Sequence, residues 1–212
     1  MESTNLTGNL FIPGPAGRIE AIFKATPGDR NQVAVIAHPH PQFGGTMHNK
    51  VVYRTARALN ECGIATYRFN FRGVGLSDGS YDEGRGERDD MRAVLDYAAN
   101  AFPGHKLIAG GFSFGAWVGL DVGFHDARVT QLIGVGTPVR ILDIGDLSEC
   151  DKPKLFVQGT NDEYGPIEEI ERWYMGLPEP KKLVKIEGAD HFFEGRLDEL
   201  MNAVREYFGS AQ

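Results

Sequence analysis

From position 33 to the C-terminus the chain alternates two hydrophobic rhythms, and this alternation restricts its fold more than any other feature. Val33-Ala34-Val35-Ile36-Ala37 is a continuous apolar run of strand length, the pattern of a strand covered on both faces. Between Thr46 and Glu61 the period changes, with Met47, Val51, Val52, Ala56 and Leu59 on one helical stripe. Thr46 reads as the N-cap of that helix and Gly63 as its stop. Ile64–Phe71 returns to strand character and ends in Arg72-Gly73-Val74-Gly75. A helix is predicted near Glu87–Phe102, with Met91, Val94, Leu95 and Ala98 inward and acids in its first turn. Lys106–Gly111, Val129–Val135, Lys154–Gln158 and Leu183–Ile186 read as strands, and Phe114–His125 as a helix. A last helix carries Leu197, Leu200, Met201, Val204 and Phe208. Ahead of the alternation, Asn9–Ile12 and Arg18–Ala25 flank Pro13-Gly14-Pro15-Ala16-Gly17, turn chemistry that closes a hairpin. The predicted class is α/β: a doubly wound, mostly parallel sheet with an N-terminal antiparallel hairpin. No linker or repeat divides the 212 residues, so one domain over 1–212 is expected.

Composition narrows the partners. A net charge of −7 argues against nucleic acid, which selects basic faces. No apolar stretch approaches the roughly 20 residues that span a bilayer. Met1-Glu2-Ser3-Thr4-Asn5 lacks the basic-then-apolar order of a secretory signal, so a cytoplasmic location is expected. Of the two cysteines, Cys62 follows an apolar helical run and reads as a buried thiol rather than half of a disulfide. A homo-oligomer stays open.

In a doubly wound sheet, ligands lie beyond the carboxyl ends of the strands, so function is sought in the loops there. Gly111-Phe112-Ser113-Phe114-Gly115 is a G-x-S-x-G between a strand and a helix. Such an elbow lifts a serine hydroxyl above the sheet edge, beside main-chain N–H groups at a helix N-terminus. A serine needs a base to take its proton. His191, in Gly188-Ala189-Asp190-His191-Phe192-Phe193, follows the last strand and can overhang the site, whereas His125 ends the elbow helix on the wrong side. The imidazole in turn needs a carboxylate to hold its tautomer. Asp162, in Gly159-Thr160-Asn161-Asp162-Glu163-Tyr164-Gly165-Pro166, is the favoured acid, Glu163 the second choice, and Asp190 is set aside as a sequence neighbour whose side chain diverges.

An oxyanion hole takes one N–H from the residue after the serine, Phe114, and one from the loop after an earlier strand. In His38-Pro39-His40-Pro41-Gln42-Phe43-Gly44-Gly45 the prolines have no N–H, which leaves His40, with Gln42 in reserve. His38, His40 and His48 invite a metal, but no Cys or paired carboxylate accompanies them and none is expected. Gly73-x-Gly75 lacks the rest of a dinucleotide fingerprint. Arg72, opening a polar turn, reads as a structural donor.

With these residues in place the chain resembles the α/β-hydrolase superfamily, and within it the small cap-less hydrolases related to dienelactone hydrolases and serine carboxylesterases. The matching stretches run from His38-Pro39-His40-Pro41 and Gly44-Gly45-Thr46-Met47 through Phe71-Arg72-Gly73-Val74-Gly75-Leu76-Ser77, the elbow and the Asp162 loop to Asp190-His191-Phe192-Phe193. The resemblance implies a Ser113–Asp162–His191 triad and no cofactor. Dienelactone hydrolases proper carry a cysteine where Ser113 stands, so a small-molecule ester is the expected substrate rather than a dienelactone. Only Gly136–Asp151 separates two strands where relatives insert a cap, so the site is expected to be open, walled by Phe43, Phe114, Tyr164 and Phe192. A thioesterase, a peptidase or amidase, and a catalytically silent binding domain are the alternatives.

Overall fold

In the computed structural model, residues 7–26, 28, 30–144 and 147–209 are described; Met1–Asn5 lies outside them. Strands β1 (Gly8–Gly14) and β2 (Gly17–Lys24) form the expected hairpin, and β2 pairs antiparallel with β4 (Ala65–Phe69). The remaining strands, β3 (Gln32–Ala37), β5 (Lys106–Phe112), β6 (Val129–Val135), β7 (Lys154–Gly159) and β8 (Lys181–Ile186), run parallel to β4 in one sheet. The order is β1-β2-β4-β3-β5-β6-β7-β8. The chain steps one way from β3 to β4 and then crosses to β5, so the winding reverses between β3 and β5. At such a reversal the loops leaving the two strands part and open a crevice.

Helices α1 (Lys50–Glu61) and α5 (Leu197–Gly209) cover one face, where Val51, Leu59, Leu200 and Val204 pack with Ile36, Ile108 and Leu155. On the other face lie α2 (Arg85–Ala101), α3 (Phe114–His125) and α4 (Ile167–Met175). There Met91, Leu95, Val118 and Leu120 pack with Val35, Phe69 and Leu132. Burial on both faces explains why the central strands read as unbroken apolar runs rather than alternating ones. Among the described residues no helix is long and apolar enough to cross a membrane.

Local readings needed correction. Helix α1 starts at Lys50, capped by Asn49, whose side chain accepts from the Val51 N–H at 2.9 Å. Thr46 is instead in the preceding turn, its carbonyl accepting from Asn49 N–H and its hydroxyl from His48 N–H. The Asn70 side chain takes the Met47 N–H at 2.8 Å, which holds the chain out of the helix until position 49. Helix α4 was not anticipated. Its Ile-Glu-Glu-Ile-Glu-Arg-Trp-Tyr-Met run buries only Ile170 fully, although Trp173 and Tyr174 pack from the side. Cys62 is half-buried, not enclosed, and both cysteines are free.

Two polar clamps lock the loops that leave β3 and β4. His38, wholly buried at the end of β3, donates from Nδ1 to the Pro39 carbonyl and accepts the Phe71 N–H on Nε2 at 3.1 Å. Both ring nitrogens are thus spent on backbone. Arg72 grips Asp90 of α2 with Nε and Nη2 at 3.0 and 2.8 Å, and its own N–H reaches the same carboxylate. The structural role expected of Arg72 is what the geometry shows.

Each clamp has a measurable consequence. Asp90 is 1% exposed, and removing its partner leaves a buried carboxylate uncompensated, so Arg72→Ala is expected to cost about 3 kcal/mol in urea unfolding. A loss under about 1 kcal/mol would contradict that placement. Burial lowers the His38 pKa from 6.5 to about 4, the Pro39 carbonyl only partly opposing it. As pH falls from the unfolded value toward the folded one, the unfolded chain takes a proton that the folded chain refuses, so stability drops across that window by on the order of 3 kcal/mol and then levels. Urea titrations of wild type and His38→Asn should show that part of the acid dependence in wild type alone. Equal pH dependence in both would refute it.

Candidate active site

Ser113 joins β5 to α3 at φ +56°, ψ −121°, left-handed backbone that side chains rarely adopt. Three hydrogen bonds hold it there: its N–H donates to the Val135 carbonyl at 2.9 Å, and its carbonyl accepts from Ala116 and Trp117. The flanking glycines are a steric requirement. A Cβ on Gly111 or on Gly115 would sit 2.5 Å from the Ala37 carbonyl oxygen of β3. The elbow therefore presses directly on the neighbouring strand.

The expected base and acid, His191 and Asp162, lie in the loops after β8 and β7. The loop after β8 turns back at Ala189, whose carbonyl accepts from Asn161 N–H at 2.9 Å, so the two loops are stitched together. The result is a continuous line: His191 Nε2 lies 2.9 Å from Ser113 Oγ, and His191 Nδ1 lies 2.8 Å from Asp162 Oδ2. Because a carboxylate can only accept, Nδ1 carries the proton and Nε2 presents a lone pair to the hydroxyl. His191 and Asp162 are 5% and 2% exposed. The imidazole is boxed by the rings of Phe112, Tyr164 and Phe192 at 4.9, 4.7 and 5.2 Å.

The carboxylate is saturated. Asp162 Oδ1 accepts the Tyr164 and Gly165 N–H groups at 2.9 and 3.1 Å, and Oδ2 is shared between His191 and Gln158 Nε2 at 2.8 Å. Glu163, the rival acid, is exposed and takes no such place. Asp190 turns its carboxylate to the Glu194 N–H. The reading of the sequence missed Gln158; the available signal was a lone polar side chain in the otherwise apolar end of β7.

On the other side of the serine stands the loop after β3. The Phe43 and Gly45 N–H groups are spent on the His40 carbonyl, and the Gln42 N–H on His40 Nδ1 at 3.2 Å, which removes Gln42 as a free donor. Among the described residues, the Phe114 and His40 amides have no protein acceptor. The accepting Nδ1 leaves the proton of a neutral His40 on Nε2, 3.1 Å from the Tyr81 hydroxyl. Burial lowers the pKa of this imidazole, with Glu87 partly opposing, which favours the neutral form. Tyr81 sits in a polar, Gly-rich loop and carried no local signal.

The expected walls divide. Phe43, Phe192 and Tyr164 are 85%, 44% and 37% exposed, available to an apolar ligand. Phe114 is 1% exposed, its ring packed against His40, Phe71 and Trp117, so its side chain is core and only its amide faces outward chemistry. His48, in the turn before α1, is exposed and apart from these contacts.

Comparison with known proteins agrees with this architecture. A family model described as an alpha/beta hydrolase domain matches residues 30–203. An alpha-beta serine hydrolase homologue from Coxiella burnetii superposes with a TM-score of 0.91 at 40% identity, over 95% of this chain and 98% of that one. A serine hydrolase without lid from Xanthomonas campestris gives 0.88 at 36% identity, over 94% and 92%. An uncharacterised protein from Rickettsia prowazekii is 33% identical over 96% of this chain and 89% of its own length. The fold is that of the lidless members, and the chain belongs to the alpha/beta hydrolase domain family.

Proposed function

We propose that the protein is a serine carboxylesterase that cleaves small esters through an acyl-enzyme. The observation that carries this reading is the unbroken line from Ser113 through His191 to Asp162, with contacts of 2.9 and 2.8 Å. In the first step Ser113 Oγ bonds to the ester carbonyl carbon while His191 Nε2 takes its proton. The Phe114 and His40 N–H groups donate to the oxyanion of the tetrahedral intermediate, where preorganised donors contribute most. The carbon–oxygen bond to the alcohol then breaks, and that alcohol leaves with the proton from Nε2. Water, deprotonated by the same nitrogen, attacks the acyl-enzyme, frees the acid and restores Ser113. Asp162 stays ionised, holding the imidazole's tautomer and stabilising its charged form.

Phe43, Tyr164 and Phe192 supply an apolar rim for the acyl or alcohol group. With no helix over the 136–151 connection among its described residues, the rim is open, which suits compact esters better than long chains. Two free cysteines and a net charge of −7 support the reading of a cytoplasmic enzyme working on a dissolved substrate.

The proposal is tested by kinetics on nitrophenyl acetate. Ser113→Ala and Asp162→Asn are each expected to lower kcat by about 10³-fold or more with the fold intact. Phe192→Ala should raise KM for a nitrophenyl ester of an aromatic acid by about 10-fold, the worth of burying one phenyl ring. A panel of esters, acyl thioesters and aminoacyl amides should show the highest kcat/KM for the esters. A folded protein that turns over none of them would make it a binding domain, and a preference for thioester or amide would reassign the leaving group.

A further inference from the structure

Behind the triad lies a buried polar side chain that touches its carboxylate. Gln158, the next-to-last residue of β7, is fully buried and makes no hydrogen bond to Ser113. Its Nε2 donates to Asp162 Oδ2 at 2.8 Å and to the Gly165 carbonyl at 2.9 Å, while its Oε1 accepts the Thr137 N–H at 2.8 Å. This orientation is unique. A flipped amide would set oxygen against two acceptors and nitrogen against a donor. No other neutral side chain of this length offers two donors on one arm and an acceptor on the other.

We propose that Gln158 is a positioning residue of the triad: its amide fixes the plane of the Asp162 carboxylate and shares Oδ2 with His191, so that it sets how strongly the carboxylate holds a proton on the imidazole. Removing a donor from Oδ2 would concentrate charge on the oxygen that faces Nδ1 and tighten its hold on an imidazolium proton. The same amide pins the loop after β6, through Thr137, to the loop after β7, through Gly165. A Cβ on the intervening Gly136 would lie 3.4 Å from His191 Cε1, so the pinned loop also backs the imidazole.

The titratable and charged groups around His191 are few. Asp162 and Tyr164 face it from the β7 loop and Ser113 from the elbow. On its own loop Asp190 is engaged by the Glu194 N–H. The cation of the β6 loop, Arg140, is held by Glu169 and the Glu163 carbonyl. Gln158 is therefore the group whose change acts on the Asp162–His191 pair without altering another charge.

The inference rests on the proposed triad, and its test reads the imidazole directly. His191 is titrated by NMR in wild type, Gln158→Met and Gln158→Leu, and kcat/KM for a nitrophenyl ester is followed against pH in the same proteins. Met removes the donor at matched length; Leu removes it with a smaller side chain. Both are expected to move the His191 titration midpoint, and with it the acid limb of kcat/KM, to higher pH by about half a unit or more. Should the Met variant not fold, the smaller Leu variant decides. A purely structural role would lower activity or stability with the midpoint within about 0.2 units of wild type, and that result overturns the proposal. The NMR titration needs no turnover. A shifted midpoint in a chain that cleaves no ester would sink the esterase reading and leave this one standing; an active ester hydrolase with an unmoved midpoint would do the reverse.

Discussion

The strained turn at Ser113 is the constraint on which the rest of the structure depends. Left-handed backbone at a residue with a side chain costs about 1–3 kcal/mol and persists only where its surroundings enforce it. Here the enforcement comes from three directions: the Val135 carbonyl of β6, the first turn of α3, and the Ala37 carbonyl of β3, against which Gly111 and Gly115 lie too close for any side chain. β5 must therefore be central, with β3 and β6 as its neighbours. The turn also places the hydroxyl at the point where the winding of the sheet reverses.

His191 has to reach that hydroxyl from the loop after β8, which lies three places from β5 in the sheet. The loops after β7 and β8 bridge the distance as one unit, joined through the Asn161 N–H and the Ala189 carbonyl. Their span passes over the end of β6, at Gly136. Order in the unit comes from saturation of the Asp162 carboxylate, whose four donors leave it no second arrangement. Buried networks of this kind stabilise a single geometry only when every member is paired. On the far side of the serine, His38 and Arg72 do the equivalent work for the loops after β3 and β4 with backbone groups and one buried ion pair.

Much of this was legible in the sequence because the responsible signals are local. The apolar runs of β3, β5, β6 and β7, the G-x-S-x-G, and an Asp and a His in loops following strands lie within short windows, and chain order assigned them roles before any distance was known. What stayed hidden was relational. Helix α4 carries a weak stripe, Ile167, Ile170 and Trp173, submerged among acids. Thr46 and Asn49 are both good caps, and Asn70, far along the chain, decides between them. Phe114 follows the serine and looks like a wall, yet α3 turns its ring into the core beside Phe71. Tyr81 matters only through a partner brought to it by the tertiary fold, and Gln158 showed itself only as a lone polar side chain in an apolar strand, with nothing to name its partners.

The central claim is that the Ser113 oxygen forms a covalent bond to the acyl group during turnover. Mixing the protein with an activated ester, quenching in acid within the first turnover and mapping the added acyl mass by peptide mass spectrometry tests it most directly. The account predicts one acyl group, on Ser113, present during the burst and gone once substrate is spent. Steady hydrolysis with Ser113 unmodified at every time, or the acyl mass on another side chain, would contradict it.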